Sequence, residues 1–316
     1  MKIILHGTYP RSEKLVQATR DYDRKRITQE ELNQVFKEDI NALKDLQKDF
    51  EYKSQGQFYF QDLLRPFPEI VEEVEINGLK RFYETNCFYR TLIFKNFKLK
   101  ENEKFFNYYL LCDGMFKKEE KLVFTFPFLF FFKEYSEGIG IQEIKELLLY
   151  VIGEIDKWGN KTIVFYEPSF GWKNLSEDER KEAELFVLEL KKFKNTKFFL
   201  HTFFFDVEKE VPFIFSLDFD GYGFDFYSNS VQKIMQNFPQ NKFLLAGIIN
   251  TDSTLIEQKE IIIHFIDKIK KFIDPERIYL CPSGVPELLP REIMDKKVKN
   301  LNKIISPLVK GDKGGL

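Results

Sequence analysis

The sequence has 316 residues, 48 basic against 50 acidic side chains, a net charge of −2 and 43% hydrophobic content. That balance describes a globular protein and lacks the basic excess of a nucleic-acid binder. The longest apolar run, 124–132, is nine residues and contains Pro127, against the ~20 that a bilayer helix needs, so no membrane partner and no secretory leader are expected.

In chain order, residues 3–5 form a short apolar strand that ends at His6-Gly7-Thr8. Thr28 and Glu31 open a long helix over 28–50, a short strand follows at 51–54, and Ser176 with Glu179 forms a capping-box signature at a later helix start. Residues 63–111 break the rhythm with Arg65-Pro66-Phe67-Pro68 and the aromatic-rich Arg81-Phe82-Tyr83-Glu84-Thr85-Asn86-Cys87-Phe88-Tyr89-Arg90. Strand-like runs then recur at 122–126, 162–166, 198–202, 222–226, 243–249 and 278–281. Between and after them, helical patterns cover 141–157, 176–194, 228–237, 257–272 and 291–304. The 124–132 run reads as a buried strand entering a packed loop, and the Gly-rich 310–316 as a disordered tail.

Continuous apolar runs separated by helices are the pattern of parallel strands buried on both faces. Eight of them at this length predict an α/β (β/α)8 TIM barrel, with residues 1–309 as one domain and 63–111 as an insertion over the barrel mouth. The rival, an open doubly wound sheet, lacks its usual signal, since no GxGxxG follows the first strand. The active face would lie at the strand ends, which carry His6, Glu167, His201, Asp225, Asn250 and Ser283. Three cysteines, Cys87, Cys112 and Cys281, form no CxxC pair. They fit a reducing, cytoplasmic setting.

The segment Phe198-Phe199-Leu200-His201-Thr202-Phe203 delivers one histidine to a strand end. A second soft ligand two residues on would complete a metal-binding pair, and that position holds Phe203. Asp225, amid strand aromatics, needs a partner, and a His201–Asp225 pair is the expected one.

The opening His6-Gly7-Thr8-Tyr9-Pro10-Arg11, the helix start Ile27-Thr28-Gln29-Glu30-Glu31-Leu32 and the segment 81–89 resemble the cobalamin-independent methionine synthase family over nearly the whole chain. The resemblance implies a barrel fold and methyl transfer from a methyl-folate to homocysteine. In the family's catalytic barrel a His-x-Cys pair, a Glu and a later Cys hold zinc, which turns a thiol titrating near ~8.5 into a thiolate. On this sequence those positions read His201, Phe203, Asp225 and Gly284, while Cys281 lies three residues early and is expected to point elsewhere. The family's proton-donating His falls at Asp252, and its Asp-Glu-Pro becomes Tyr166-Glu167-Pro168.

The resemblance is therefore to the family's non-catalytic N-terminal barrel. It implies a folate-binding or accessory subunit that works with a separately encoded catalytic barrel, with zinc disfavoured and methyl-folate as the ligand. Arg81, Arg11 and Lys14 are the implied contacts to the folate's carboxylate tail, joined by Glu167 as a substrate-binding candidate. The alternative is an active methyltransferase with another donor or another way to activate a thiol. A third reading uses Glu167, His201 and Asp225, with Asp252, as acid and base groups in unrelated chemistry.

Overall fold

The computed structural model describes residues 1–311. Its strands are β1 (Lys2–Ile3), β2 (Lys53–Ser54), β3 (Val74–Arg81), β4 (Phe88–Phe94), β5 (Leu122–Pro127), β6 (Ser136–Glu137), β7 (Lys161–Tyr166), β8 (Thr196–Thr202), β9 (Gly221–Asp225), β10 (Phe243–Ile249) and β11 (Ile278–Pro282). The helices are α1 (Glu13–Asp23), α2 (Gln29–Leu46), α3 (Leu129–Glu134), α4 (Ile141–Asp156), α5 (Ser169–Trp172), α6 (Glu177–Leu190), α7 (Val211–Ser216), α8 (Val231–Met235), α9 (Lys259–Ile269) and α10 (Arg291–Gly311).

Eight strands make one parallel sheet in the order β1-β11-β10-β9-β8-β7-β5-β2. Every residue of β5, β7, β9 and β11 is buried, which is why these strands read as unbroken apolar runs. The two ends of the sheet meet. Tyr9 N–H donates to the Gly56 carbonyl at 2.8 Å, and Lys2 pairs with Glu51 at 2.5 Å. The sheet is thus curled into a (β/α)8 barrel, and each of the eight expected barrel strands is present within two residues of its expected bounds.

Local signals explain the helix starts. Thr28 and Glu31 exchange side-chain-to-backbone hydrogen bonds at 2.7 and 3.2 Å, and Ser176 with Glu179 does the same. The helix expected over 28–50 stops at Leu46. Helix α1 escapes the sequence reading because it buries only Leu15 and Ala18 among its charges, although Ser12 caps it. The last helix reaches Gly311, so residues 310 and 311 of the expected tail are helical. The rest of that tail lies outside the described residues.

The apolar run 124–132 divides at Phe128 into strand β5 and helix α3. Within 63–111 the chain folds β3 and β4 into an antiparallel hairpin, with Arg81 opposite Phe88, and β6 joins β4 in parallel. The hairpin is tied to the barrel by buried aromatics. Phe82 stacks on Tyr89 with centroids 4.2 Å apart, and its ring meets Phe204 of the loop after β8 at 5.8 Å. No helix among the described residues is long and apolar enough to cross a membrane.

Candidate functional site

His201 sits near the end of β8, between Tyr166 on β7 and Gly223 on β9. A Cβ at Gly223 would collide with the imidazole, so glycine there lets the ring lie across β9. Gly7 plays the same part for Tyr166. It holds a left-handed backbone at φ +76°, and a Cβ there would strike the Tyr166 hydroxyl. That hydroxyl donates to the Gly284 carbonyl at 3.3 Å and lies 2.6 Å from His6 Nδ1.

The rings of His6 and His201 are 4.6 Å apart, and Cys281 Sγ lies 4.0 Å from His201 Nε2. Cys281 therefore points into the barrel interior beside His201, correcting the expectation that it faces elsewhere. The β10–β11 register, which pairs Gly247 with Cys281, turns it inward. Burial pushes His6 down to about 3 and His201 well below its ordinary value, while it raises the Cys281 thiol. All three are neutral near pH 7.

Phe203 is fully buried, its ring edge-on to Tyr166 at 4.8 Å. Gly284 lies against it, and a Cβ built there would stand 3.5 Å from the Phe203 Cβ. The expected His201–Asp225 pair does not form. Asp225 accepts hydrogen bonds from the Ser228 hydroxyl at 2.6 Å and from Tyr227 N–H at 2.8 Å. His201 Nδ1 has no hydrogen-bond partner among the described residues. The residues two and three positions beyond the strand satisfy Asp225 locally, with its carboxyl pushed up to about 6 by burial. The four-ligand zinc set of the resemblance does not fit here: Phe203 offers only carbon, Gly284 has no side chain, and the Asp225 carboxylate is engaged by Tyr227 and Ser228.

Glu167 is wholly buried. Its Oε2 accepts from Phe130 and Phe131 N–H at 3.0 Å, and its Oε1 from Ser169 N–H at 3.1 Å. This carboxylate caps α3, although burial still pushes it up to about 7. Glu167, His201 and Asp225 make their side-chain hydrogen bonds with different neighbours and not with one another.

Asp252 is exposed and lines a cavity of about 450 Å³ at the barrel mouth. Glu84, Thr85 and Asn86 of the hairpin turn form one wall, Phe204, Phe205 and Thr251 the other. Arg81 is exposed and donates to the carbonyls of Thr85 at 2.7 Å and Glu84 at 3.1 Å, so it braces that turn. Lys14 pairs with Glu38 on the neighbouring helix at 2.5 Å. Arg11 lines a second cavity of about 260 Å³ with Asp62, Tyr89 and Glu287.

Glu287 is a site residue that no sequence signal marks. It accepts from the Tyr89 hydroxyl at 2.7 Å, and burial pushes it up to about 8. A lone Glu after Pro286 carries no periodic or motif signal.

A family model described as the N-terminal domain of cobalamin-independent synthase matches residues 47–273. Methionine synthases of Saccharolobus islandicus are 21% identical over 304 residues, covering 93% of this chain and 91% of theirs. That of Saccharolobus solfataricus is 20% identical over the same shares. Among solved structures, a putative vitamin-B12-independent methionine synthase from Listeria monocytogenes superimposes with a TM-score of 0.72 at 12% identity, covering 98% of each chain. A B12-independent methionine synthase from Shewanella sp., in complex with selenomethionine, gives 0.66 at 14% identity, covering 92% of each chain. At these identities the two structures speak to the fold alone.

Proposed function

The chain belongs to the cobalamin-independent methionine synthase family, and from that premise we propose that it serves methyl transfer as a folate-binding or accessory barrel beside a separately encoded catalytic barrel. One observation carries the reading: Phe203 and Gly284 stand in contact where the resemblance places the two thiolate ligands. Fully ligated structural zinc sites bind with ~10–16 kcal/mol, much of it from thiolate donors. A ring and a glycine supply none of it.

The scaffold for a ligand remains. The cavity at the mouth joins aromatic walls to a polar rim at the C-terminal ends of the strands, where barrels of this kind bind small molecules. Thr85, Asn86 and Asp252 offer hydrogen bonds to a heterocycle, with Phe204 and Phe205 available for ring contact. Arg11 supplies a cation within the neighbouring cavity for a carboxylate.

The test is a methyl-transfer assay with methyl-folate and homocysteine. The purified chain is added alone, then with a separately encoded catalytic barrel of the family. No methionine from the chain alone, with association and a raised rate in the mixture, is the expected result. Absence of both association and rate change overturns the proposal. Turnover by the chain alone would instead favour an active methyltransferase with another means of thiol activation, the reading that retention of His201 beside Cys281 supports.

A further inference from the structure

His6, His201 and Cys281 come from three separate strand ends, and all are buried inside the barrel. One ligand atom from each can be chosen so that all three lie within 4.8 Å of one another. This is an unusual inner layer for a (β/α)8 barrel, whose interior is ordinarily filled by branched aliphatic side chains. Two of its polar atoms, His6 Nε2 and His201 Nδ1, are buried with no hydrogen-bond partner among the described residues. Such atoms are few in native proteins and call for an explanation.

The neighbours point to one. The Tyr166 hydroxyl donating to the Gly284 carbonyl suits the His6 tautomer that is protonated at Nδ1 and gives that proton to the hydroxyl. That leaves a bare lone pair on His6 Nε2 and fixes the ring's orientation, as a hydrogen-bonded second nitrogen does for metal-bound histidines. Glycine at positions 7 and 223 keeps open the space that the Tyr166 hydroxyl and the His201 ring occupy.

We propose that His6, His201 and Cys281 bind one thiophilic divalent cation, such as zinc, inside the barrel. Its donors differ from the set of the resemblance in two of three residues, and the ion would lie beside His201 without using positions 203 or 284. Bonds of ~2.0–2.1 Å to nitrogen and ~2.3 Å to sulfur require the donors to close in, from 4.0 Å between His201 and Cys281 and from within 4.8 Å over all three. Binding releases the thiol proton of Cys281 to solvent, so one proton leaves per ion bound. Three protein donors leave the fourth position to water or an incoming ligand. The ion would tie the ends of β1, β8 and β11 together. The accessory role proposed above does not depend on it.

Cobalt(II) is the probe, titrated into metal-free full-length protein. One equivalent should bind, with a near-ultraviolet thiolate-to-cobalt charge-transfer band that zinc abolishes on displacement. Cys281→Ser should lose the band, His6→Gln should weaken binding at least tenfold, and Cys112→Ser should keep both band and affinity. Circular dichroism establishes that each variant is folded. A wild-type protein without the band overturns the proposal, whatever the variants do. So does a band that survives Cys281→Ser; if that variant fails to fold, undiminished cobalt affinity in His6→Gln overturns it instead.

Discussion

Phe203 and Gly284 are complementary in size: a Cβ at Gly284 would lie 3.5 Å from the Phe203 Cβ and 3.1 Å from Thr251 Oγ1. Gly284→Cys alone overpacks the site and should destabilise by ~1–3 kcal/mol. Phe203→Cys alone leaves a void and should cost ~3 kcal/mol or more. Combined, they should cost less than the sum, with a coupling of ~0.5–3 kcal/mol. Urea unfolding of the four proteins in a double-mutant cycle measures it, and zero coupling would show that the two positions do not answer each other.

Glu167 accepts three backbone N–H groups, two of them at the start of α3. Glu167→Ala leaves those donors buried without partners, at ~1–3 kcal/mol for each that water cannot reach. A folded variant should lose amide-exchange protection at Phe130 and Phe131 first. Unchanged protection there would contradict the capping role.

Glu287 is raised from its ordinary 4.5 to about 8 in the folded protein. A carboxyl with a raised folded value contributes stability that is fully present below its unfolded value and is lost as pH rises through the folded one. Its contribution should therefore decline from about pH 4.5 and be gone above about 8. Thermal unfolding across that range should show a steeper fall for the wild type than for Glu287→Gln, which cannot ionise. Equal slopes would remove Glu287 from the account.

Lys297 and Glu257 form a buried pair at 2.6 Å, and the same carboxylate oxygen accepts Asn250 N–H at 2.9 Å, at the start of the loop that carries Asp252. Lys297→Met strands the carboxylate and should cost ~3–5 kcal/mol. Replacing both by Met and Leu should recover a large part of that loss. Denaturant midpoints of the single and double variants decide between a pair that matters and one that does not.

Arg81→Ala should unsettle the hairpin turn, where the guanidinium holds the Thr85 and Glu84 carbonyls. A loss of ~0.5–1.5 kcal/mol is expected from these bonds. Hydrogen exchange at residues 82–87 should rise while that of the barrel strands stays constant. An effect spread evenly over the barrel would argue against a local brace.

The eight barrel strands and the capped starts of α2 and α6 were legible in the sequence by itself, because each rests on local physics. Strands buried on both faces must be apolar throughout, and a Ser or Thr three residues ahead of Glu satisfies helix N–H groups within one turn. The tertiary structure alone decided the rest. Helix α3 begins where it does because Glu167, 36 and 37 residues away, caps it. Tyr166 orients His6 across 160 residues, and Tyr89 reaches Glu287 across 198. The register of β11 on β10 turns Cys281 toward His201, while Asp225 takes its nearest neighbours in place of the histidine. Periodicity records which face of a strand is buried. It carries no information on which polar groups meet inside, since those contacts arise only when the sheet closes and brings distant strand ends together.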